Sequence, residues 1–480
     1  MSKHRVFPSM PARRRALRQL GGLGALGLVP SLSGVLGGEA RASASSYQAL
    51  VCVFLFGGND GNNMIVPTDT AGYNAYFLAR GNVLGTPENG ALALPAAGTT
   101  GGVLPMNGIN FGLHPSMPEI QALWNSGNVA LVFNAGALVQ PITVAQYQAN
   151  VRNPDIVPEN LFSHFDQQQQ MQTTSIPGFN TTGWAGRMVD QFGGASASIP
   201  AAVSAAGNTV LLAGNSSSPI VVPQTGPLAY NGFNGTALAN ARLAALQTLF
   251  TTAGDATLDA ALGTIQTQAT ATAQLLSPVL SGTSTLSSYF PLTSEGELSG
   301  LSNQLLQVAR LVQAASSGAI SAPSRQIFFV DMQEYDTHNN QLNRQAPLLA
   351  DLSASLSGFY NAMVSLGLQN QVTSFTLSDF ARTLKPASGG GSDHAWGSHH
   401  IVVGGPATIR SGTYGSFPQL VLGGASDISG EGRWLPGISI DQYGATLGKW
   451  LGLSTSQLAT AFPNLANFPT ADLGFLAPLA

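Results

Sequence analysis

Short apolar runs recur along this chain, and each stops at glycine, polar or acidic residues. Ala49 to Phe56 is eight consecutive apolar residues, followed by Gly57-Gly58-Asn59-Asp60. Comparable runs occupy 129–134, 326–332, 372–377 and 400–404. Runs of this length, bounded by turn residues, predict strands buried on both faces. Helical patterns stand between several of them, around 115–126 and 341–366. In the second, Leu342, Leu349, Leu352, Leu356, Phe359 and Met363 approximate one face, which predicts a crossover helix with its aromatics in the core. Such alternation predicts an α/β sheet covered on both sides.

Residues 191–325 break the rhythm, being rich in Ala, Ser, Thr, Gly and Gln. Helix-compatible repeats cover Ala239–Phe250, Ala256–Leu276 and Leu298–Ala315, with Gly, Ser and Pro between them. This stretch reads as an insertion or cap within one large domain, residues 45–480. Residues 386–392 read as a flexible approach to Asp393 and His394.

The first 44 residues obey a different logic. Arg13-Arg14-Arg15 precede a Gly/Leu/Ala-rich stretch from Leu20 to Leu36, and Ala42-Ser43-Ala44 offers a cleavage site. A basic front and a weakly apolar body fit a twin-arginine export signal, read by that machinery and then removed. The stretch is short and glycine-rich for a stable membrane span. The expected location is periplasmic or extracellular, with no stable span in the mature chain.

Charge sharpens the picture. Seven of the 19 Lys/Arg and one acid lie in residues 1–44, leaving 12 basic and 22 acidic residues beyond them. That balance repels nucleic acid. Cys52 is the only cysteine and lies within the first apolar run, so disulfides cannot brace the fold.

In a chain with 9% charged residues, acids and histidines beside strand ends stand out. Asp60 comes just after the first run. Asp336 and His338 come after the run at 326–332, and in extended chain such a pair turns to one side. Asp379 and Arg382 come after the run at 372–377, and Asp393, His394, His399 and His400 precede or enter the next. Carboxylate and imidazole donors suit a divalent metal; a hydrogen-bonded polar network is the competing reading. Ser163 has no Gly-x-Ser-x-Gly elbow, which leaves it a metal-activated nucleophile at most. His164 is offered as ligand or proton donor, Arg382 as a partner of Asp379 or an anion holder, and His114 as a site residue or a helix cap.

Taken together, these segments give a chain that resembles the twin-arginine-exported family called domain of unknown function 1501, within the alkaline phosphatase/sulfatase-like superfamily. The resemblance rests on Phe54 to Asn63, Gly112 to Pro115, Leu161 to Gln168, Thr182 to Arg187, Tyr335 to His338, Leu377 to Arg382, Asp393 to His400 and Tyr443 to Gly452. It implies an alkaline-phosphatase-like three-layer sandwich with a mostly parallel central sheet and a helical insertion. It also implies one or two divalent metal ions, zinc foremost, with manganese, calcium or magnesium as alternatives. Asp60, Asp336, His338, Asp379, Asp393 and His394 match the metal positions and Ser163 that of the nucleophile; His164 and Arg382 complete the catalytic candidates on the reading of the residues above. Asp379 stands where the family motif more often has Glu, one methylene longer. The implied activity is metal-dependent hydrolysis of a small phosphate or sulfate ester. The alternative is a non-catalytic envelope or matrix protein that keeps the fold.

Overall fold

The computed structural model describes residues 47–477, apart from 87, 176, 179, 194–196, 230–235 and 252–256. The expected export signal, residues 1–44, lies outside the described residues.

Nine strands build the main sheet: β1 (Gln48–Leu55), β2 (Val129–Gly136), β3 (Ala202–Ser204), β4 (Ile220–Val221), β5 (Arg325–Met332), β6 (Val372–Ser378), β7 (Ser398–Val403), β8 (Gly412–Tyr414) and β9 (Ile438–Ser439). Their spatial order is β8-β2-β7-β6-β1-β5-β3-β4, with β9 also beside β2. β1 is central and parallel to both neighbours, so that Cys52 is level with Phe329 of β5 and Phe375 of β6. β7 alone opposes its neighbours β6 and β2, and the other pairs are parallel. The five apolar runs are thus strands of a mixed, mostly parallel sheet.

Among the helices that cover the sheet or border its site edge are α1 (Gly61–Met64), α2 (His164–Thr173), α3 (Trp184–Val189), α4 (Gly300–Ser316), α5 (Gln341–Ser365) and α6 (Ile440–Trp450). Every residue from Ala49 to Leu55 is buried, because a central strand hides both faces. Leu50, Cys52 and Phe54 pack with Trp184 and Met188 of α3 and Tyr443 and Leu447 of α6. Val51 and Val53 point the other way. On that side α4 packs on β5 and α5 on α4. The result is a three-layer α/β sandwich. Each fully buried large apolar side chain stabilises it by about 1.5–3 kcal/mol, and Cys52 is a free, buried thiol.

The stretch 191–325 reaches into this sandwich at both ends. β3 and β4 extend the sheet, and α4 covers it. Three- and two-residue strands carry too little pattern to be read from sequence. Residues 228–278 belong to a second compact unit, which carries the helix Ala237–Thr251 and most of Thr257–Ser281. No helix among the described residues is long and apolar enough to cross a membrane.

Candidate metal centre

β1, β5 and β6 run parallel, so the loops that leave them gather at one sheet edge. Gly57 turns the chain there with φ of +110°. A Cβ on it would lie 2.4 Å from the backbone nitrogen of Asp336, so only glycine lets the two loops touch. Tyr335 N–H donates to the carbonyl of Phe56 at 3.1 Å, which fixes the Asp336 loop. The loop at 386–392, expected to be flexible, is tied down instead. Asn340 and Gln341 N–H groups donate to the carbonyls of Gly389 and Gly390 at 3.0 and 2.8 Å.

Asp336 Oδ1 is the focus of the site. His338 Nε2 lies 3.1 Å from it, and His164 Nε2 and His394 Nε2 each lie 3.5 Å away. Every ring is held from behind through Nδ1. Asp379 Oδ2 is 2.7 Å from that atom of His164, Asp393 Oδ1 is 3.2 Å from that of His338, and the Phe162 carbonyl is 2.7 Å from that of His394. A carbonyl only accepts, so His394 Nδ1 carries a proton and the neutral ring presents a lone pair at Nε2. The two carboxylates select the same tautomer in the other neutral rings.

His338 Nε2 and His394 Nε2 stand 2.8 Å apart. Two lone pairs at that distance repel unless a proton or a cation lies between them. The buried His164 Nε2 has no hydrogen-bond partner among the described residues. Inward lone pairs from three nitrogens and one carboxylate oxygen fit a divalent cation. His164, Asp336 and His394 place ligand atoms within 4.8 Å of one another and form a candidate divalent-metal centre.

Local charge reflects the same geometry. The hydrogen bond to Asp379 raises the His164 pKa above that of an ordinary imidazole. Burial lowers that of His394. Burial pushes the Asp336 carboxyl up, but the hydrogen bond and charge of Arg382 outweigh it and hold the carboxyl below its usual range.

The other expected site residues surround this focus or lie apart from it. Asp60, expected as a metal anchor, is buried at the N-cap of α1, where Arg80 Nη2 lies 2.5 Å from its Oδ2 and Gln341 donates to the same oxygen. A buried carboxylate needs a cation, and here an arginine supplies it. Asp379 and Asp393 sit behind His164 and His338, each one ring away from Asp336. Arg382, expected to hold an anion, is fully buried. Its guanidinium donates to Asp336 and to the carbonyls of Gly57, Gly58 and Ser392, so it orients Asp336 rather than facing solvent. Ser163 caps α2, and its hydroxyl donates to Asp166 Oδ2 at 2.6 Å.

His399 and His400 are buried in β7, stacked on Phe417 and Tyr443. His114 is buried and accepts from Ser116 N–H at 3.1 Å. Sequence reasoning missed the Phe162 carbonyl, whose residue has φ of +72°, and a backbone acceptor leaves no trace in residue type. It also missed Arg80, although a buried acid in a chain with few cations was a signal to look for one.

Fold and side chains together define a three-layer α/β protein with a candidate divalent-metal centre at one edge of its sheet. The chain belongs to the family described as a protein of unknown function, DUF1501, whose pattern matches residues 47–427. No curated protein matches the sequence significantly. Among solved structures, one similarity is to a Bacteroides thetaiotaomicron protein described in connection with the metabolism of multiple glycosaminoglycans. The identity is 11%, over 86% of this chain and 74% of that one, with a TM-score of 0.31. Another is to the phosphonate monoester hydrolase of Agrobacterium radiobacter, at 12% identity over 85% and 74% of the two chains, with a TM-score of 0.28. Similarities this loose say nothing of the chemistry.

Proposed function

We propose that this protein is an exported, metal-dependent hydrolase of phosphate or sulfate esters. The observation that carries the reading is the convergence of three Nε2 atoms on Asp336 Oδ1, each ring locked through its Nδ1. The motif resemblance supports the ester class. His164, His338, His394 and Asp336 would hold the ion, and zinc suits their three nitrogens and one oxygen. A bound divalent ion supplies Lewis-acid polarisation of the ester oxygens.

The remaining work falls to the chain's own groups. Asp379, Asp393 and the Phe162 carbonyl keep protons on the outer ring nitrogens, and Arg382 holds Asp336. Ser163 is our candidate nucleophile. It stands between Phe162 and His164, and its hydroxyl proton already has an acceptor in Asp166. Export rests on Arg13–Arg15 and the stretch after them, and recovery of the protein from the cytoplasmic fraction alone would count against it.

The test combines metal analysis with turnover. Protein from zinc-replete cells should carry roughly one ion or more per chain. In a screen of phosphate mono- and diesters and sulfate esters, Asp336→Asn and Ser163→Ala should each lose at least about 100-fold in turnover. A metal-free wild type, or equal rates in wild type and Asp336→Asn, sinks the hydrolase reading.

A further inference from the structure

His338 and Asp393 also wall a second space. It is a cavity of about 420 Å³, bounded further by Thr383, Lys385, Ser388 and Glu431. That volume lies within the range of small-molecule sites. Its wall and the metal centre share the His338 ring.

The charges around the cavity are not equivalent. Asp393 is engaged with His338, and Glu431 Oε2 lies 3.1 Å from Arg433 Nη1. Lys385 is exposed, and its ammonium makes no hydrogen bond or ion pair among the described residues. Its backbone, by contrast, is fixed: its N–H donates to the Glu431 carbonyl at 3.0 Å, and its carbonyl accepts from Thr383 Oγ1 at 3.0 Å. Lys449, the other lysine beyond residue 44, is paired with Asp472 at 2.6 Å. The acids at this cavity have partners already, and the lysine has none. The hydroxyl-bearing Thr383 and Ser388 make the lining polar, which disfavours an apolar tail.

We propose that this cavity receives the part of the substrate beyond its scissile ester, and that Lys385 binds an anionic group there. The substrate class is then an ester of a polar alcohol that bears its own carboxylate, sulfate or phosphate. This rests on the metal-hydrolase reading for the occupant of the neighbouring centre. Lys385 contributes a specificity contact and takes no part in bond breaking.

Calorimetric binding of two non-hydrolysable probes, phenylphosphonate and 4-carboxyphenylphosphonate, to zinc-loaded protein tests the proposal without relying on turnover. An exposed ammonium–carboxylate contact should favour the carboxylated probe by roughly threefold to tenfold, and about 0.5 M salt should erase the gain. Lys385→Ala should abolish the difference between the probes, and Lys385→Arg should retain it. Equal affinities in the wild type, no binding of either probe, or a difference that survives Lys385→Ala overturns the proposal. Failure of the metal reading has a separate signature: phenylphosphonate then binds equally well with zinc removed by a chelator.

Discussion

Asp336 takes a guanidinium and a ring of imidazoles around one oxygen, whereas Asp379 and Asp60 are engaged elsewhere. The three acids therefore call for different responses to neutralisation. Asp379→Asn leaves His164 present but poorly oriented, and should weaken metal affinity by about 10–100-fold. Asp60→Asn leaves Arg80 buried without its counter-ion and should destabilise the fold by about 3–5 kcal/mol. It should not release metal from protein that remains folded. Chelator-competition titration and urea denaturation on both variants separate the two effects, and metal loss from folded Asp60→Asn would restore Asp60 as a ligand. At this scale the kinds of residue were legible, because acids and histidines are scarce and sit beside apolar runs. Their division of labour was not. Ligand and support differ only by which ring nitrogen an oxygen reaches, and sequence carries no record of that.

Among the elements, the junction of β1 with the Asp336 loop is the most constrained. Gly57 combines a left-handed backbone with a Cβ direction that points into Asp336 N. Gly57→Ala should therefore destabilise by about 2 kcal/mol or more, and should also weaken metal binding by displacing the Asp336 loop. A variant with wild-type urea stability and wild-type metal affinity would contradict this account of the turn. The long strands and helices were legible because their patterns run over many residues. β1, β5 and β6, expected at 49–56, 326–332 and 372–377, lie within a residue or so of those bounds. β3 and β4 were not legible, since the pairing of β3 with β5 and of β4 with β3, rather than local pattern, makes them strands.

For the whole molecule, buried histidines set the response to acid. Burial lowers His399 and His400 to about 3 and His114 to about 4, all below the ordinary imidazole value. As pH falls below about 6.5, the unfolded chain takes up protons that these native rings refuse, so stability falls. Asp441 works the other way. Burial raises it to about 7, so the native carboxyl keeps its proton and gains stability as pH falls from there towards about 4. Among these four buried groups three oppose one, so together they cost stability on acidification between about pH 6.5 and 4. His400→Phe keeps a ring against Tyr443 and removes one titration. It should flatten the pH dependence of the unfolding constant by roughly tenfold per pH unit. Urea midpoints across that range check this, and an unchanged slope would show that His400 does not titrate on unfolding.

The candidate metal centre also has a consequence for biogenesis. Phe162 and the His394 ring it holds are 232 residues apart in the chain, and His164 is 215 residues from the Asp379 that orients it. A partly made or partly folded chain cannot bring these groups together. An ion that binds only the finished arrangement stabilises it, by about 2.7 kcal/mol at a free concentration one hundred times its Kd. If the proposed centre takes its ion, metal capture acts as a maturation checkpoint. Starvation for the ion would deplete the protein through proteolysis, before any pool of idle apoprotein could accumulate.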